Sequence, residues 1–372
     1  MGKKRNSSFE LLRIICMILI IASHYSVHGG YGTFELGDLS PGVTYIQILS
    51  LFGRLACSVF VMISGFYMVD SINVKHYRKI VPVIAQLVFY SVLFCAVVYA
   101  CDSSLITLKS LIKSFFSIIW GNWYVVNYII LFLMIPAINQ MINNLSRKNF
   151  TILIVVLFFV WSIIPTFTKA WSFSEIDFFV VTYLLGAYIK KYIHGKVNYK
   201  NIWNLILSLF FGVSLVLSTL VIDFVARSLN SETIFSYATY LKEFNSVLAL
   251  PCAVFIFLFF SRISFESDVI NYISKSTLGI YLIHDNFLFR VIIWERIFPN
   301  IDYVNNPYIH SVIKIFVVFA VCLIIDIIRR ETIEKIFVKW FNKNCDGWVE
   351  KIKTISKKIK PRGVYSEKNE KN

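Results

Sequence analysis

Charged side chains are scarce in this chain: Asp, Glu, Lys and Arg make up only 16% of 372 residues. A soluble domain carries about 25%, so the shortage excludes an ordinary water-soluble enzyme of this length. Cysteine is thinly scattered too. Cys16, Cys57, Cys95, Cys101, Cys252, Cys322 and Cys345 form no CxxC pair and no Cys/His spacing suited to zinc. Neither a disulfide scaffold nor a metal site is therefore expected, and thiols within apolar runs read as buried. There is no Gly/Ser linker, no second domain before residue 330 and no strong internal repeat. The first apolar run contains Glu10 and Arg13 and lacks a small-residue cleavage site, so it is expected to be a retained helix rather than a signal peptide.

What fills the chain is apolar: 57% of residues are hydrophobic, 17% are aromatic and Phe occurs 34 times. Stretches of about 17–25 such residues each suit one membrane crossing. Ten are expected, near 9–28, 45–69, 80–101, 124–143, 150–168, 176–192, 203–224, 243–261, 271–293 and 309–328, which predicts an all-α polytopic membrane protein. Lys3, Lys4 and Arg5 precede the first. Basic clusters then follow the even-numbered spans at Lys75/Arg78/Lys79, Arg147/Lys148, Lys190/Lys191/Lys196/Lys200 and Arg329/Arg330, with the nearly neutral 262–275 loop the weakest support. By the positive-inside rule both termini are cytoplasmic. The net charge of +15 lies in these short clusters, not in one patch, and does not point to nucleic acid.

After a membrane domain over 1–330, Ile333, Ile336, Phe337, Trp340, Phe341, Trp348, Val349 and Ile352 recur at three- and four-residue steps among lysines. An amphipathic basic helix over 331–360 is expected, lying on the anionic cytoplasmic leaflet. A polar, disordered tail follows over 361–372.

Ionisable residues inside such spans are costly and tend to mark function. The first span carries Glu10, Arg13 and His24. Eleven residues are about three helical turns, so Arg13 and His24 share a face about 16 Å apart along the axis. Glu10 can hold the Arg13 guanidinium from one turn below. His24 reads either as a packing histidine or as a group that takes a proton from a hydroxyl and returns it to a thiol. Arg54 lies in the second span on a face with Ser58 and Gly65, a small-residue seam where a helix can approach. It needs an anion: Glu10, another carboxylate, or substrate. Lys75, Arg78 and Lys79 serve topology or dock phosphates arriving from the cytoplasm. Trp123 and Tyr124 suit an interfacial belt. His284 lies about 20 Å along the ninth span, at a depth like that of His24.

These stretches together resemble the acyltransferase 3 family, bacterial membrane acyltransferases that modify surface polysaccharides and related glycans. The likeness rests on RNSSFELLR and the later SH of span one, GRLACSVFVMISGF, the basic run ending at Pro82, WYVVNYIILFLMIP, FVVTYLLGAYIKKY and STLGIYLIH. It implies an O-acyltransferase, most simply an O-acetyltransferase, in the bacterial plasma membrane. Cytoplasmic acetyl-CoA or another acyl-CoA would be donor, and a sugar hydroxyl of a surface or lipid-linked glycan the acceptor. The family's functional histidine falls on His24, its basic residue on Arg13 and its acidic residue on Glu10. The expected site has His24 and Glu10 as catalytic groups. Arg13, Arg54, Lys75, Arg78 and Lys79 would hold the donor, and Trp123, Tyr124 and His284 would face the acceptor or cavity, without metal. Membrane lipids, a second copy or other glycan-biosynthesis proteins are the expected partners. The chain departs from the family pattern at Asn122, where His often precedes the tryptophan, at the diluted run His76/Arg78/Lys79, and at Cys57–Ser58, after which Pro is often found. From the residues alone, a glycan-lipid flippase or a membrane assembly subunit remains open; only the enzyme consumes an acyl donor.

Overall fold

A backbone in hydrocarbon must satisfy its own polar groups, which helices do within one segment. The computed structural model describes residues 6–31, 40–71, 80–117, 122–168, 174–297 and 299–337, and these are helical with no strand. Among the described residues, seven helices are long and apolar enough to cross a membrane: Ser8–Val27 (α1), Pro41–Met68 (α2), Ile80–Cys101 (α3), Trp123–Asn144 (α5), Arg147–Thr168 (α6), Ile202–Ser228 (α8) and Pro307–Phe337, which begins as α14 (Pro307–Arg329). Short Leu108–Phe115 (α4) precedes α5. Leu209, Phe210, Val213, Leu217, Val221 and Phe224 are exposed on α8 at helical spacing, a face suited to lipid.

The other three expected spans are shorter or broken. Residues 176–192 correspond to Glu175–Tyr188 (α7), which runs on into a π turn at Ile189–Ile193. The 243–261 run is helical only from Ala249 to Ser261 (α10). Between Glu232–Tyr240 (α9) and α10, Asn245 Nδ2 donates to the Trp161 carbonyl at 3.0 Å and Val247 N–H to Thr166 Oγ1 at 3.1 Å. The 271–293 run divides into Asp268–Ser274 (α11), Thr277–His284 (α12) and Phe289–Val291 (α13). Asn286 Oδ1 accepts from Leu288 N–H and Phe289 N–H at 3.1 and 3.2 Å, which restarts the helix after the break.

The centre is α2, packed along α1 on one side and α7 on the other. A Cβ at Gly65 would run into the Tyr183 carbonyl oxygen, and one at Gly186 into that of Met62. Only glycine lets the two backbones come this close. Gly53 likewise leaves room for Ser23, whose hydroxyl donates to the Ser50 carbonyl at 3.2 Å. The start of α1 is tied to the segment before α11: Ser7 N–H donates to the Phe265 carbonyl at 2.8 Å.

The chain divides into two compact units, Met1–Leu323 and Ile324–Asn372. In the second, Arg329 pairs with Asp326 at 2.9 Å and Glu334 at 2.8 Å. Beyond Phe337 the expected amphipathic helix and tail lie outside the described residues, as do Lys75, Arg78 and Lys79.

Candidate active site

The last turn of α1 carries His24, and His28 follows one turn on; α12 ends on His284, with Asp285 next. His24 Nδ1 lies 3.0 Å from His284 Nε2. His284 Nδ1 lies 2.6 Å from the Ile280 carbonyl oxygen, which can only accept. The proton of a neutral His284 therefore sits on Nδ1, and its Nε2 accepts from His24 Nδ1–H. That leaves the bare lone pair on His24 Nε2, the tautomer a general base needs.

Asp285 supplies the negative charge. Its Oδ1 lies 3.8 Å from His24 Nδ1, 3.5 Å from His28 Nε2 and 3.7 Å from Arg290 Nη1. Its Oδ2 accepts from Asn122 Nδ2 at 2.7 Å, which fixes the carboxylate plane. Buried beside the imidazoles, this carboxylate favours the imidazolium formed when His24 takes up a proton. His24, His28 and Asp285 also bring three ligand-type atoms within 4.8 Å of one another, the one such cluster among the described residues. Arg290 stands on the same carboxylate oxygen, so its charge already has a cationic neighbour.

Two cavities lie along this part of α1; His24, His28 and Asp285 line one of them, and His284, expected to face a cavity, is fully buried and lines neither. An inner one of about 250 Å³ is lined by Arg13, Met17, Tyr124, Tyr128 and Lys275 among others. The outer one, about 300 Å³, is lined by His24, His28, Arg54, Trp123, Lys242 and Arg290 with their neighbours. Ile20, Cys57 and Tyr281 line both, so the cavities abut at a waist. On α1 the series Arg13, Met17, Ile20, His24 advances by four, three and four residues, and this single face runs past both cavities.

The model of the acyltransferase 3 family, described as "Acyltransferase domain", matches residues 6–327. The chain belongs to this family. No curated protein and no solved structure matches it. The protein is thus a membrane acyltransferase, and the two cavities and the histidine pair lie inside the matched region.

Within this acyltransferase, the residues named from sequence separate into three places. His24 and His284 meet directly. Glu10 does not reach them: fourteen residues of helix place it about 21 Å below His24. It pairs with Arg13 Nη1 at 3.2 Å and accepts from Ser274 Oγ at 2.6 Å, so it holds Arg13 at the inner cavity. Arg54 parts company with Arg13 and lines the outer cavity. Its Nη1 lies 2.7 Å from Glu243 Oε2, and its guanidinium carbon stands 5.9 Å from the Trp123 ring centre. The anion it requires is therefore a carboxylate of the chain. Trp123 lines the outer cavity and Tyr124 the inner one.

Sequence reasoning passed over Asp285, Arg290, His28 and Lys242. Asp285 and Arg290 are ionisable residues within an expected span, the same signal that singled out His24.

Proposed function

We propose that this protein is an acyl-CoA-dependent O-acyltransferase, most simply an O-acetyltransferase, acting on a sugar hydroxyl of a cell-surface glycan or its lipid-linked precursor. It would sit in the bacterial plasma membrane with ten crossings and cytoplasmic termini. The observation that carries the reading is the hydrogen-bonded pair His24–His284, whose His24 lines the outer cavity just beyond the residues that this cavity shares with the inner one.

On this reading acyl-CoA enters from the cytoplasm. Its phosphates bind Lys75, Arg78 and Lys79, and its arm lies in the inner cavity past Arg13. The thioester passes the waist at Ile20, Cys57 and Tyr281 to reach His24. The sugar occupies the outer cavity against Trp123. His24 Nε2 takes the hydroxyl proton as the oxygen attacks the thioester carbonyl. The tetrahedral intermediate collapses, the C–S bond breaks, and the leaving thiolate takes the proton back from His24. Asp285 and His284 hold the imidazole and its charge, while Glu10 keeps Arg13 in place. Nothing in this sequence of steps requires a metal.

The test is His24→Ala in the membrane-inserted protein, with mass spectrometry of envelope glycans. Acyl content should fall to that of a strain lacking the gene. Unchanged acylation would remove His24 from the mechanism. Glycan movement without acyl-CoA consumption would favour a flippase.

A further inference from the structure

Between α3 and α5 the chain forms a helix whose polarity is reversed. On α4, Leu108, Ile112 and Phe115 recur at steps of four and three and are 74%, 43% and 63% exposed, with Leu111 beside them. Ser110, Ser114 and Ser117, at the same spacing, are turned away from that face and buried. Ser110 and Ser114 satisfy their hydroxyls locally: Ser110 Oγ donates to the Thr107 carbonyl at 2.7 Å and Ser114 Oγ to that of Ser110 at 2.9 Å. A helix at a water-facing surface buries its apolar stripe and exposes its polar one. This one does the opposite, so its outward face suits an apolar surrounding. Lys109 and Lys113 lie between the two faces, and no acidic residue occurs from 103 to 117.

We infer that α4 docks on the bilayer surface, its apolar face sunk among the upper acyl chains and Lys109 level with anionic headgroups. Lipid is the occupant because the patch continues a membrane-crossing surface. Only the short segment 102–107 separates α4 from α3, α4 packs back against α3, and the C-terminal end of α3 itself exposes Tyr99. On the orientation proposed above this is the extracytoplasmic side, where the positive-inside rule supplies no topological reason for two lysines. Lys113 lies over the Phe287 ring at 4.7 Å, so Lys109, exposed beside Leu108, is the one that meets a headgroup. Docking also bears on the site. Before, within and after α4, the stretch is fastened to the segment that carries Asp285 and Arg290. The ties are Asp102–Arg296 at 2.6 Å, Lys113–Phe287, and Asn122–Asp285 at 2.7 Å. A docked α4 thus holds that segment against the membrane surface.

The experiment uses the full chain in nanodiscs of phosphatidylcholine with a minority of phosphatidylglycerol. Photoreactive p-benzoylphenylalanine replaces Leu108, Ile112 or Phe115, one at a time, so that no single position that disturbs folding decides the outcome. After illumination, mass spectrometry should find the labelled helix carrying a phospholipid. Phosphatidylglycerol should make up at least about twice its mole fraction among the adducts, and Lys109→Gln should return that share to the mole fraction. Adducts to a second copy or to another part of the chain, with none to lipid, would overturn the docking. Lipid adducts that follow mole fraction with or without Lys109 would overturn the headgroup match. The readout is lipid contact and not acyl transfer, so either failure leaves the proposed function standing.

Discussion

A neutral histidine in a membrane helix is tolerable when its N–H has a defined acceptor. Here His24 Nδ1 is engaged by His284, and the Ile280 carbonyl sets the direction of that bond. If Asp285 stabilises the imidazolium, Asp285→Asn should lower kcat by about 10²-fold or more with little change in either KM. Steady-state kinetics with acetyl-CoA decides it, and an unaltered kcat would leave Asp285 with packing alone. His24 was legible in the sequence because an imidazole in an apolar run is conspicuous. Asp285 carried the same signal, but its meeting with His24 was not legible, because the run around it reads as one unbroken helix until side-chain hydrogen bonding is known.

Helices that hydropathy alone describes were legible to within a few residues: 80–101 was expected and Ile80–Cys101 is found, 124–143 expected and Trp123–Asn144 found. Where the expectation departs, polar side chains compete with the helical backbone. Asn245 bonds the Trp161 carbonyl instead of continuing a helix, and Asn286 caps a new one after His284. These breaks matter chemically, since the end of α12 is what presents His284 and Asp285 to α1. The seam expected along α2 from Ser58 to Gly65 is met at Gly65, which lies against α7. Because the neighbour there is backbone carbonyl, Gly65→Leu or Gly186→Leu must force α2 and α7 apart. A loss of about 1–3 kcal/mol or more is expected, read as a lower melting temperature in detergent. Gly195→Leu, where a Cβ meets no atom within 4 Å but φ is +69°, should cost only backbone strain and so less. Equal losses at all three positions would deny the close crossing.

At the scale of the whole molecule, the proposed reaction, with a cytoplasmic thioester and an extracytoplasmic sugar, would need one continuous passage, and sequence could only require it. The two cavities supply its parts: Arg13 and Lys275 line one, His24 the other, and Ile20, Cys57 and Tyr281 both. No pattern in the sequence announces such a waist, because it is made by residues from α1, α2 and α12 that are ordinary members of apolar helices. If donor and acceptor meet through it, filling it should uncouple them. Ile20→Trp adds bulk where Ile20 is only 4% exposed, between the inner cavity and His24. Acyl transfer should fall at least about tenfold, while acyl-CoA still binds the protein from the cytoplasmic side and His24 remains in place. Ile20→Ala opens the same point and should keep acetyl transfer while admitting longer acyl chains. Radiolabelled acyl-CoA binding and transfer, measured on the two variants in oriented vesicles, separates the steps. Unimpaired transfer by Ile20→Trp would mean that the thioester reaches His24 by another route, and the inner cavity would lose its place in the reaction.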